Sequence, residues 1–438
     1  MFSLFPHQKV GIKWMVKREQ GVIRGGFLCD EMGLGKTIQT LCTMMLNPVP
    51  KTLIIVPNSL VDQWVTEIKN LTRFVVGRDV VVTTYSQFSP RCKKLGEFRR
   101  QHWDRIILDE GHEIRTQKSK RFKVIHSLPS DIRWVLSGTP IYNKKADYLT
   151  LLKFVTQESV NVPTISQIML RRTKDDVQLN LPTCHFENVE LEMHEEEWQV
   201  YTERFQEFCG EIKKKEDNGG PVQLYNMLLI ECLLRVRQLC VHPSIFVPEY
   251  TGRSMKMDTL LRDIQSHPGE KGIVFCHFHK EMDIIQEMLG KANISTYRLD
   301  GEVPTHLRTG IINEFKQDVS HSVLVIQIKT GGQGLNIQEA TRVYIMSPSW
   351  NPATELQAIA RSHRTGQTKE VYVKKYIYIS SDQAVNCVDE SIVSLQGHKS
   401  IVCAEVLNDS RMTTQIPVDL RRAKFTQTLR KIFHPPQK

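Results

Sequence analysis

A glycine-rich stretch near the amino terminus reads Asp30-Glu31-Met32-Gly33-Leu34-Gly35-Lys36-Thr37. The apolar run at residues 26–29 predicts a buried strand before it, and the amphipathic run at residues 37–46 predicts a helix after it. A strand, a glycine turn that ends in Lys-Thr and a helix are the context of a phosphate-binding loop. The two glycines let backbone N–H groups close around an anion, and the helix N-terminus adds its dipole.

We therefore expect this stretch to bind a nucleotide. Lys36 would supply a positive charge for the β- and γ-phosphates, and Thr37 a hydroxyl for Mg²⁺. The strict pattern has glycine where Asp30 stands, so the interpretation also depends on later segments. The candidate residues are Asp30, Glu31, Met32, Gly33, Leu34, Gly35, Lys36 and Thr37.

Composition narrows the class of protein. The length of 438 residues is typical of about three domains. The 58 lysines and arginines exceed the 48 acidic residues by 10, which favours a polyanionic partner such as nucleic acid. Ten cysteines without a Cys-x-x-Cys pair indicate free thiols in a reducing compartment. No signal peptide or membrane-length apolar run is visible, so we expect an intracellular protein that is not secreted and binds no membrane.

Short apolar runs alternate with helical patterns in the first half of the chain. Residues 52–57 and 80–85 predict strands, and residues 59–71 predict the helix between them. Such alternation is typical of a parallel α/β sheet, whose ligands bind at the carboxyl ends of the strands. Gln8 precedes this region and is either a surface residue or a hydrogen-bonding partner for an adenine edge.

Two further strands end in chemically interesting residues. The run at residues 105–108 leads into Asp109-Glu110-Gly111-His112. We expect Asp109 to hold Mg²⁺, directly or through water, and Glu110 to orient and deprotonate an attacking water. The alternative is an ordinary solvated strand end. The strand at residues 134–136 ends in Ser137-Gly138-Thr139-Pro140, which we expect to sense the nucleotide state.

A second α/β unit begins near residue 272, with strands predicted at 272–276, 294–299 and 322–328. The loop Thr330-Gly331-Gly332-Gln333-Gly334 follows, and its glycines permit close approach of a DNA phosphate or a nucleotide sugar. Trp350 is either a core aromatic or a residue that leans against DNA.

Basic residues recur in the stretch from Gln357 to Gln367. Arg361 and Arg364 stand three residues apart, so on a helix they would share one face. Two guanidinium groups there can reach a γ-phosphate as arginine fingers. The alternative is a solvated basic face.

The motifs beginning at Asp30, Asp109 and Ser137, in this order, resemble those of superfamily 2 helicase-type ATPases. Their variants resemble the SWI/SNF-like branch of double-stranded DNA translocases. Asp-Glu-Gly-His-Glu-Ile-Arg, from Asp109, further resembles the DNA-damage-tolerance and transcription-termination subgroups. The stretch from Gln357 resembles the family's sixth motif. The cysteine cluster of a RING insert is missing, so we expect no ubiquitin-ligase activity.

The resemblance implies an α/β fold with two RecA-like lobes, each a parallel sheet flanked by helices, and a helical inter-lobe region. It implies an ATP-binding lobe at residues 1–165, an inter-lobe helical segment at 166–255, a helicase C-terminal lobe at 256–380, and a brace helix with a basic tail at 381–438. The tail is either a flexible DNA-binding arm or a solvated terminus.

The resemblance also implies site residues. Catalytic roles fall to Lys36, Asp109, Glu110, Arg361 and Arg364. Nucleotide contacts come from the glycine-rich stretch with Gln8, Gly334 and Gln357, and Mg²⁺ is held by Thr37 and Asp109. DNA contacts fall to Ser59, Thr83, Thr330, Gly331 and Trp350.

These residues imply a DNA-dependent ATPase, stimulated by duplex DNA, that uses ATP and Mg²⁺ to move along DNA in remodelling, repair or transcription. An RNA-directed helicase of the same superfamily and a non-catalytic DNA-binding scaffold are the alternatives. We expect a monomer with chromatin or transcription proteins as further partners. The nucleus and a viral replication site are the expected locations, since such short motors resemble those of large DNA viruses.

Overall fold

The computed structural model of the chain describes residues 4–138, 145–157, 165–177, 179, 181–219, 221–331, 335–380, 385, 387–407 and 432–433. The chain divides into two packed units. The first runs up to Leu181 and also takes in residues 402–407, at the end of the last described helix, and the second runs from Pro182 to Ile401 and takes in residues 432–433. Each unit is built on one six-stranded sheet in which all neighbouring strands are parallel. The predicted α/β fold class is confirmed.

The first unit contains six strands and seven α-helices among its described residues. In chain order they are α1 (Pro6–Glu19), β1 (Gly25–Leu28), α2 (Lys36–Leu46), β2 (Thr52–Val56), α3 (Val61–Leu71), β3 (Val80–Thr84), α4 (Leu95–Arg100), β4 (Trp103–Asp109), α5 (Lys120–His126), β5 (Ser130–Leu136), α6 (Lys145–Thr156), α7 (Ile165–Ile168) and β6 (Met169–Leu170).

The strand order of the first sheet is β3-β2-β4-β5-β1-β6. All residues of β1 and β2 are buried, which explains why these strands read as continuous apolar runs with no alternation. Strands β4, β5 and β1 are adjacent and parallel, so the loops that follow them leave from the same edge of the sheet. The order of the strands thus brings three separate sequence motifs to one place.

A buried ion pair ties α1 to this sheet. The Glu19 carboxylate accepts hydrogen bonds from Arg105 Nε at 2.7 Å and Trp134 Nε1 at 2.9 Å. Arg105 Nη2 donates a third at 2.5 Å and Asn47 Nδ2 a fourth at 2.6 Å. Both charged side chains are at most 1% exposed. Their hydrogen bonds offset the desolvation that burial of two charges costs.

The second unit contains the other six strands. In chain order its elements are β7 (Cys184–Leu191), α8 (Glu195–Asp217), α9 (Val222–Leu239), α10 (Met255–Gln265), β8 (Gly272–Cys276), α11 (His279–Lys291), β9 (Ser295–Leu299), α12 (Thr305–Gln317), β10 (Ser322–Gln327), α13 (Ile328–Gly331), β11 (Arg342–Ile345), α14 (Pro352–Ile359), β12 (Val371–Tyr378) and α15 (Val388–Leu407). The strand order is β7-β12-β11-β8-β10-β9.

The region expected to be an inter-lobe helical segment contains α8 and α9. The α8 residues Tyr201, Phe205 and Phe208 are buried in a core that α8 shares with α9. It also contains two strands. Strand β6 completes the edge of the first sheet beside β1, and β7 completes the edge of the second sheet beside β12. The four-part division made from the sequence remains a prediction.

The basic tail is described only at Ile432 and Phe433. Both side chains are buried in the α8–α9 core, where the rings of Phe433 and Phe205 stack with centroids 5.6 Å apart. These two residues are therefore packed against the second unit, and the rest of the tail lies outside the described residues. None of the described helices combines the length and the apolar character that crossing a lipid bilayer requires.

Candidate functional site

The glycine-rich stretch forms a loop between β1 and α2, as the sequence predicts. Gly33 and Gly35 have φ values of 91° and 78°, a region that favours glycine. A Cβ atom on Gly35 would lie 2.5 Å from Gln8 Nε2, so a larger residue would displace Gln8. The α2 helix begins directly at Lys36, which leaves its first backbone N–H groups at the loop.

Lys36 folds its amine back toward the loop that precedes it. Its Nζ donates to the Asp30 carbonyl at 2.8 Å and lies 3.5 Å from the Glu31 carbonyl. Thr37, next along α2, is half-buried. These two backbone carbonyls hold the Lys36 amine inside the loop. The arrangement is that of an anion-binding loop.

Gln8 is buried against this loop, so its interpretation as a surface residue is wrong. Its Nε2 lies 3.4 Å from the Leu34 carbonyl, and its Oε1 accepts a hydrogen bond from the Phe5 backbone at 3.1 Å. Helix α1 carries Gln8 to the loop because the buried side chains of Ile12 and Met15 hold α1 on the unit's core. Contact between Gln8 and an adenine remains a prediction.

Asp30 stands where the strict pattern has glycine, and the structure gives its carboxylate a specific environment. The side chain is fully buried and accepts hydrogen bonds from Arg172 Nε at 2.9 Å and Gln39 Nε2 at 3.0 Å. Arg172 was not singled out from the sequence as a site residue. The basic pair Arg171-Arg172 directly after a short apolar strand was the only signal for it.

The end of β4 places Asp109 inside the protein. Its Oδ2 accepts a 2.8 Å hydrogen bond from Trp64 Nε1, and its Oδ1 accepts from the Glu110 backbone at 3.0 Å. Burial, reinforced by the neighbouring charge of Glu110, raises the pKa of Asp109 to about 6. The Trp64 bond and the charge of Lys36 act in the opposite direction. Sequence analysis missed Trp64, which lies on α3 and carries no motif.

Glu110 adopts a left-handed backbone conformation, with φ 50° and ψ 52°. Such a conformation costs about 1–3 kcal/mol in a residue other than glycine, so the surrounding contacts must hold it. Its Oε2 lies 3.4 Å from Ser137 Oγ and 3.3 Å from His112 Nδ1. The strained turn thereby directs the carboxylate toward the segment that follows β5.

Gly138 brings that segment against the phosphate-binding loop. A Cβ atom on Gly138 would lie 2.9 Å from Met32 Cγ and 3.7 Å from Lys36 Nζ. Thr139 and Pro140 lie outside the described residues. The loops after β1, β4 and β5 therefore meet, as the sequence motifs require, with Lys36, Glu110 and Gly138 in one neighbourhood.

Arg361 and Arg364 do not lie on a helix, so the expectation that they share a helix face is wrong. Helix α14 ends at Ile359, and both arginines lie in the turn that follows. Tertiary hydrogen bonds end the helix, because the Ile337 backbone donates to the Arg361 carbonyl at 3.0 Å and Ser362 Oγ donates to Ala340 O. The turn is thus bound to the chain before β11.

Within this turn the two arginines have different environments. Arg361 is 7% exposed and its Nε donates to the Gln357 carbonyl at 3.0 Å. Arg364 is half-buried and directs one terminal nitrogen to the Leu335 carbonyl at 3.4 Å. Gln357 itself is half-buried on α14. Gly334 lies outside the described residues.

The candidate DNA contacts are placed as follows. Ser59 is half-buried in a short turn after β2, and Thr83 is buried near the end of β3. Thr330 is buried in α13, where its Oγ1 lies 3.4 Å from Gln327 Oε1, and Gly331 ends that helix. Trp350 is partly buried and packs on the α8–α9 core, which agrees with its interpretation as a core aromatic residue. Contact between Trp350 and DNA remains a prediction.

The residues proposed for Mg²⁺ fit a hard cation in donor chemistry, because a hydroxyl and a carboxylate supply oxygen. Both Asp109 oxygens already accept a hydrogen bond, and each keeps a lone pair for a cation or its water. Among the described residues, His102, Asp104 and Asp131 form a separate cluster with metal-ligand geometry. This cluster lies at the beginning of β4 and β5, away from the loops.

These features define a helicase-like nucleotide-hydrolysing protein. Residues 7–77, 69–165 and 162–245 match the profile of the SNF2-related domain, and residues 255–366 match the helicase conserved C-terminal domain. The SNF2-related match covers more than half of the chain. The chain belongs to the SNF2-related family of helicase-like ATPases, which are hydrolases acting on ATP.

Individual relatives cover most of the chain. It is 29% identical to the probable global transactivator of Orgyia pseudotsugata multicapsid polyhedrosis virus, over 86% of each protein. It is 26% identical to the mouse SWI/SNF-related regulator of chromatin subfamily A member 1, over 97% of this chain but 45% of that protein. The chain therefore spans about half the length of this chromatin relative. The SWI2/SNF2 ATPase core of Sulfolobus solfataricus with dsDNA has a TM-score of 0.44 at 26% identity and covers 98% of this chain and 97% of that one.

Proposed function

We propose that the chain is a Mg²⁺- and DNA-dependent ATPase that moves along duplex DNA. One observation carries the proposal: the loops after β1, β4 and β5 bring Lys36, Glu110 and Gly138 together at one edge of the first sheet. A positive charge, a general base and a segment in contact with the phosphate loop are the parts that ATP hydrolysis needs.

In this site Lys36 would leave the Asp30 and Glu31 carbonyls to neutralise the phosphates. The backbone N–H groups at the start of α2 would bind the same oxygens. Thr37 and Asp109 would hold Mg²⁺, which neutralises charge that develops on the transferred phosphoryl group. Glu110, at its strained turn beside Ser137 and His112, would orient water and accept its proton.

We propose that Arg361 and Arg364 act on the γ-phosphate as arginine fingers. An arginine finger typically contributes about 10³–10⁵ in rate because it stabilises charge in the transition state. Hydrogen bonds to residues 337–340 fix the backbone of the turn that carries the two guanidinium groups. Hydrolysis of ATP would then supply the free energy for movement along DNA.

Family membership and a net charge of +10 support duplex DNA as the partner. Contacts to the phosphate backbone would make binding sensitive to salt and nearly independent of sequence. The relatives named as a transactivator and a chromatin regulator support a role in transcription or remodelling, with repair as the third possibility. We propose that the chain acts as a monomer, in the nucleus or at a viral replication site.

ATP turnover tests the proposal when it is measured with duplex DNA, single-stranded DNA and RNA in turn. We expect duplex DNA to stimulate most and Lys36→Ala to abolish turnover. Lys17→Ala, which changes an exposed lysine on α1, serves as the control and should behave as wild type. Stronger stimulation by RNA would favour an RNA-directed helicase. Undiminished turnover in Lys36→Ala would refute the assigned site.

A further inference from the structure

The chain leaves the first unit through a segment that is hydrogen-bonded to the phosphate-binding loop. We call residues 170–174 the exit strap. The pairing of β1 with β6 continues beyond both strands, because the Cys29 backbone donates to Leu170 O at 2.7 Å and the Glu31 backbone to Arg172 O at 2.8 Å. The Lys174 backbone then donates to Glu31 Oε2 at 2.8 Å. The strap thus follows the loop residue by residue.

The Arg172 side chain fastens the strap to three other parts of the unit. Its guanidinium group binds both carboxylate oxygens of Asp30, with Nε 2.9 Å from Oδ1. It also donates to Gln39 Oε1 at 2.8 Å and to the His7 carbonyl. Arg172 therefore joins the strap to the loop, to α2 and to α1.

Gln39 and Asp30, which both bind the Arg172 side chain, also contact the part of the loop that would bind phosphate. Gln39 Nε2 lies 3.3 Å from each of the Leu34 and Gly35 carbonyls, which form the last turn of the loop. Lys36 Nζ donates to the backbone carbonyl of Asp30, the same residue whose carboxylate Arg172 binds. A shift of Arg172 would therefore move both sides of the loop.

Stability alone is a weak explanation for this arrangement. Asp30 is fully buried and the Arg172 side chain is 13% exposed, so the pair is mostly desolvated. Replacing such a buried pair by apolar residues of similar volume is often neutral or stabilising, because desolvation offsets the attraction. A fixed bidentate geometry, in contrast, is what an arginine–carboxylate pair supplies and an apolar pair does not.

We propose that the exit strap couples the ATP site to the second unit, with Arg172 as its positioning residue. Only six residues lie between Lys174 and Leu181, where the first stretch of the first unit ends. A change at the phosphate loop passes through Arg172 and the Glu31–Lys174 contact into this short link, and a change in the second unit passes back. The inference rests on the proposed DNA-dependent ATPase activity.

The test measures how far duplex DNA changes the affinity for nucleotide. Fluorescent ADP is titrated into the full chain with and without duplex DNA, and the KM for ATP and kcat are measured in parallel. A coupling of about 5- to 150-fold is typical between linked sites. In Arg172→Lys, which keeps the charge but loses the planar fork, we expect this factor to fall to about 1–2. A role confined to the fold would lower affinity equally with and without DNA.

Gly11→Ala provides an independent perturbation that removes no hydrogen-bonding group. A Cβ atom on Gly11 would lie 1.9 Å from Gln39 Oε1 and 2.8 Å from the Arg172 guanidinium, so both side chains must move. We expect the same loss of the DNA effect. The matched control is Gly290→Ala on α11, where an added Cβ meets no atom within 4 Å. Lys174→Ala, which removes its 3.6 Å ion pair with Glu31 and keeps the Lys174 backbone bond to Glu31, should cause a smaller loss.

The outcomes separate this inference from the proposed function. Wild-type coupling that persists in folded Arg172→Lys and Gly11→Ala would overturn the role of the strap and leave the ATPase assignment intact. A wild-type chain whose turnover and nucleotide affinity ignore DNA would overturn the proposed function and, with it, the coupling. Thermal melting of each variant shows whether it is folded, and Lys174→Ala decides the matter if both other variants unfold.

Discussion

The indole nitrogen of Trp64 donates a 2.8 Å hydrogen bond to the carboxylate of Asp109. The two residues lie on different elements, α3 and β4, and both are buried. A hydrogen bond to the charged form of a carboxylate lowers its pKa, whereas burial raises it. Trp64 therefore keeps Asp109 closer to the ionised form that a metal ligand must have.

Trp64→Phe should shift the pH dependence of ATP turnover. In the wild type, burial raises the pKa of Asp109 to about 6, so we expect turnover to fall as the pH drops through that value. Without the indole bond the pKa rises further, and the acidic limb should move up by about one pH unit. The measurement is kcat/KM between pH 5 and 8.

Trp103→Phe is the matched control for this experiment. Trp103 begins the same strand, and its Nε1 donates to the Phe98 carbonyl at 3.1 Å, far along β4 from Asp109. Its pH profile should match the wild type. An unshifted acidic limb in Trp64→Phe would show that Asp109 does not control it.

The sequence alone predicts those site residues that directly follow a strand. Apolar runs mark the strands of a parallel sheet, and the residues after them must lie at its carboxyl edge. Lys36, Asp109 and Ser137 were found in this way. The rule gives no information about side chains that arrive from elsewhere. Trp64 is 45 residues from Asp109, and Arg172 is 142 residues from Asp30.

Arg361 and Arg364, which lie outside the helix expected for them, show a different limit of prediction from sequence. No glycine or proline lies between Pro352 and Gly366, so local sequence gives no reason for α14 to end before Arg361. The turn after the helix is bonded to residues 337–340 through the Arg361 carbonyl and the Ser362 hydroxyl, and the helix ends there. Contacts of this kind come from the folded chain and override local propensity. The sequence does not identify these distant partners, so it does not show where the helix ends.

Arg364→Ala should abolish catalysis while ATP still binds. If Arg364 acts as an arginine finger, turnover falls by about 10³-fold or more, because the lost interaction belongs to the transition state. We expect the dissociation constant for a nucleotide analogue to change far less than kcat. Single-turnover hydrolysis and equilibrium binding measure the two quantities.

Arg253→Ala is the control for Arg364, since the Arg253 side chain is 75% exposed in the same unit. It should retain wild-type turnover. Equal losses of binding and turnover in Arg364→Ala, with normal thermal melting, would contradict a role in the transition state. Such a result would assign Arg364 to ground-state binding.

Glu19→Ala should destabilise the first unit without affecting nucleotide chemistry. The substitution leaves the Arg105 guanidinium buried without its carboxylate, which costs about 3–5 kcal/mol. Urea unfolding followed by circular dichroism should show the lower midpoint, and the KM for ATP should stay unchanged. Arg78→Ala removes a surface ion pair with Asp79 from a side chain that is 72% exposed, and it should leave the midpoint where it is. A similar midpoint for the two variants would contradict the importance of the Glu19 network.

Glu281→Gln should flatten the pH dependence of stability in the second unit. Burial raises the pKa of Glu281 from 4.5 to about 7, although the His277 and Phe278 amides and the charges of Lys256 and Arg237 oppose the rise. A raised pKa in the folded state means that stability from the neutral carboxyl is complete below pH 4.5 and is lost as the pH approaches 7.

The expected loss in the wild type is about 3 kcal/mol between those two pH values, since each pKa unit corresponds to about 1.4 kcal/mol. Glutamine keeps an oxygen for the two amides that bind Glu281 Oε2 at 2.7 Å and 3.0 Å and carries no titrating proton. Urea midpoints of the two proteins should therefore converge near pH 5 and separate near pH 8, with the variant more stable there. Parallel midpoints across this range would show that Glu281 titrates at its ordinary pKa.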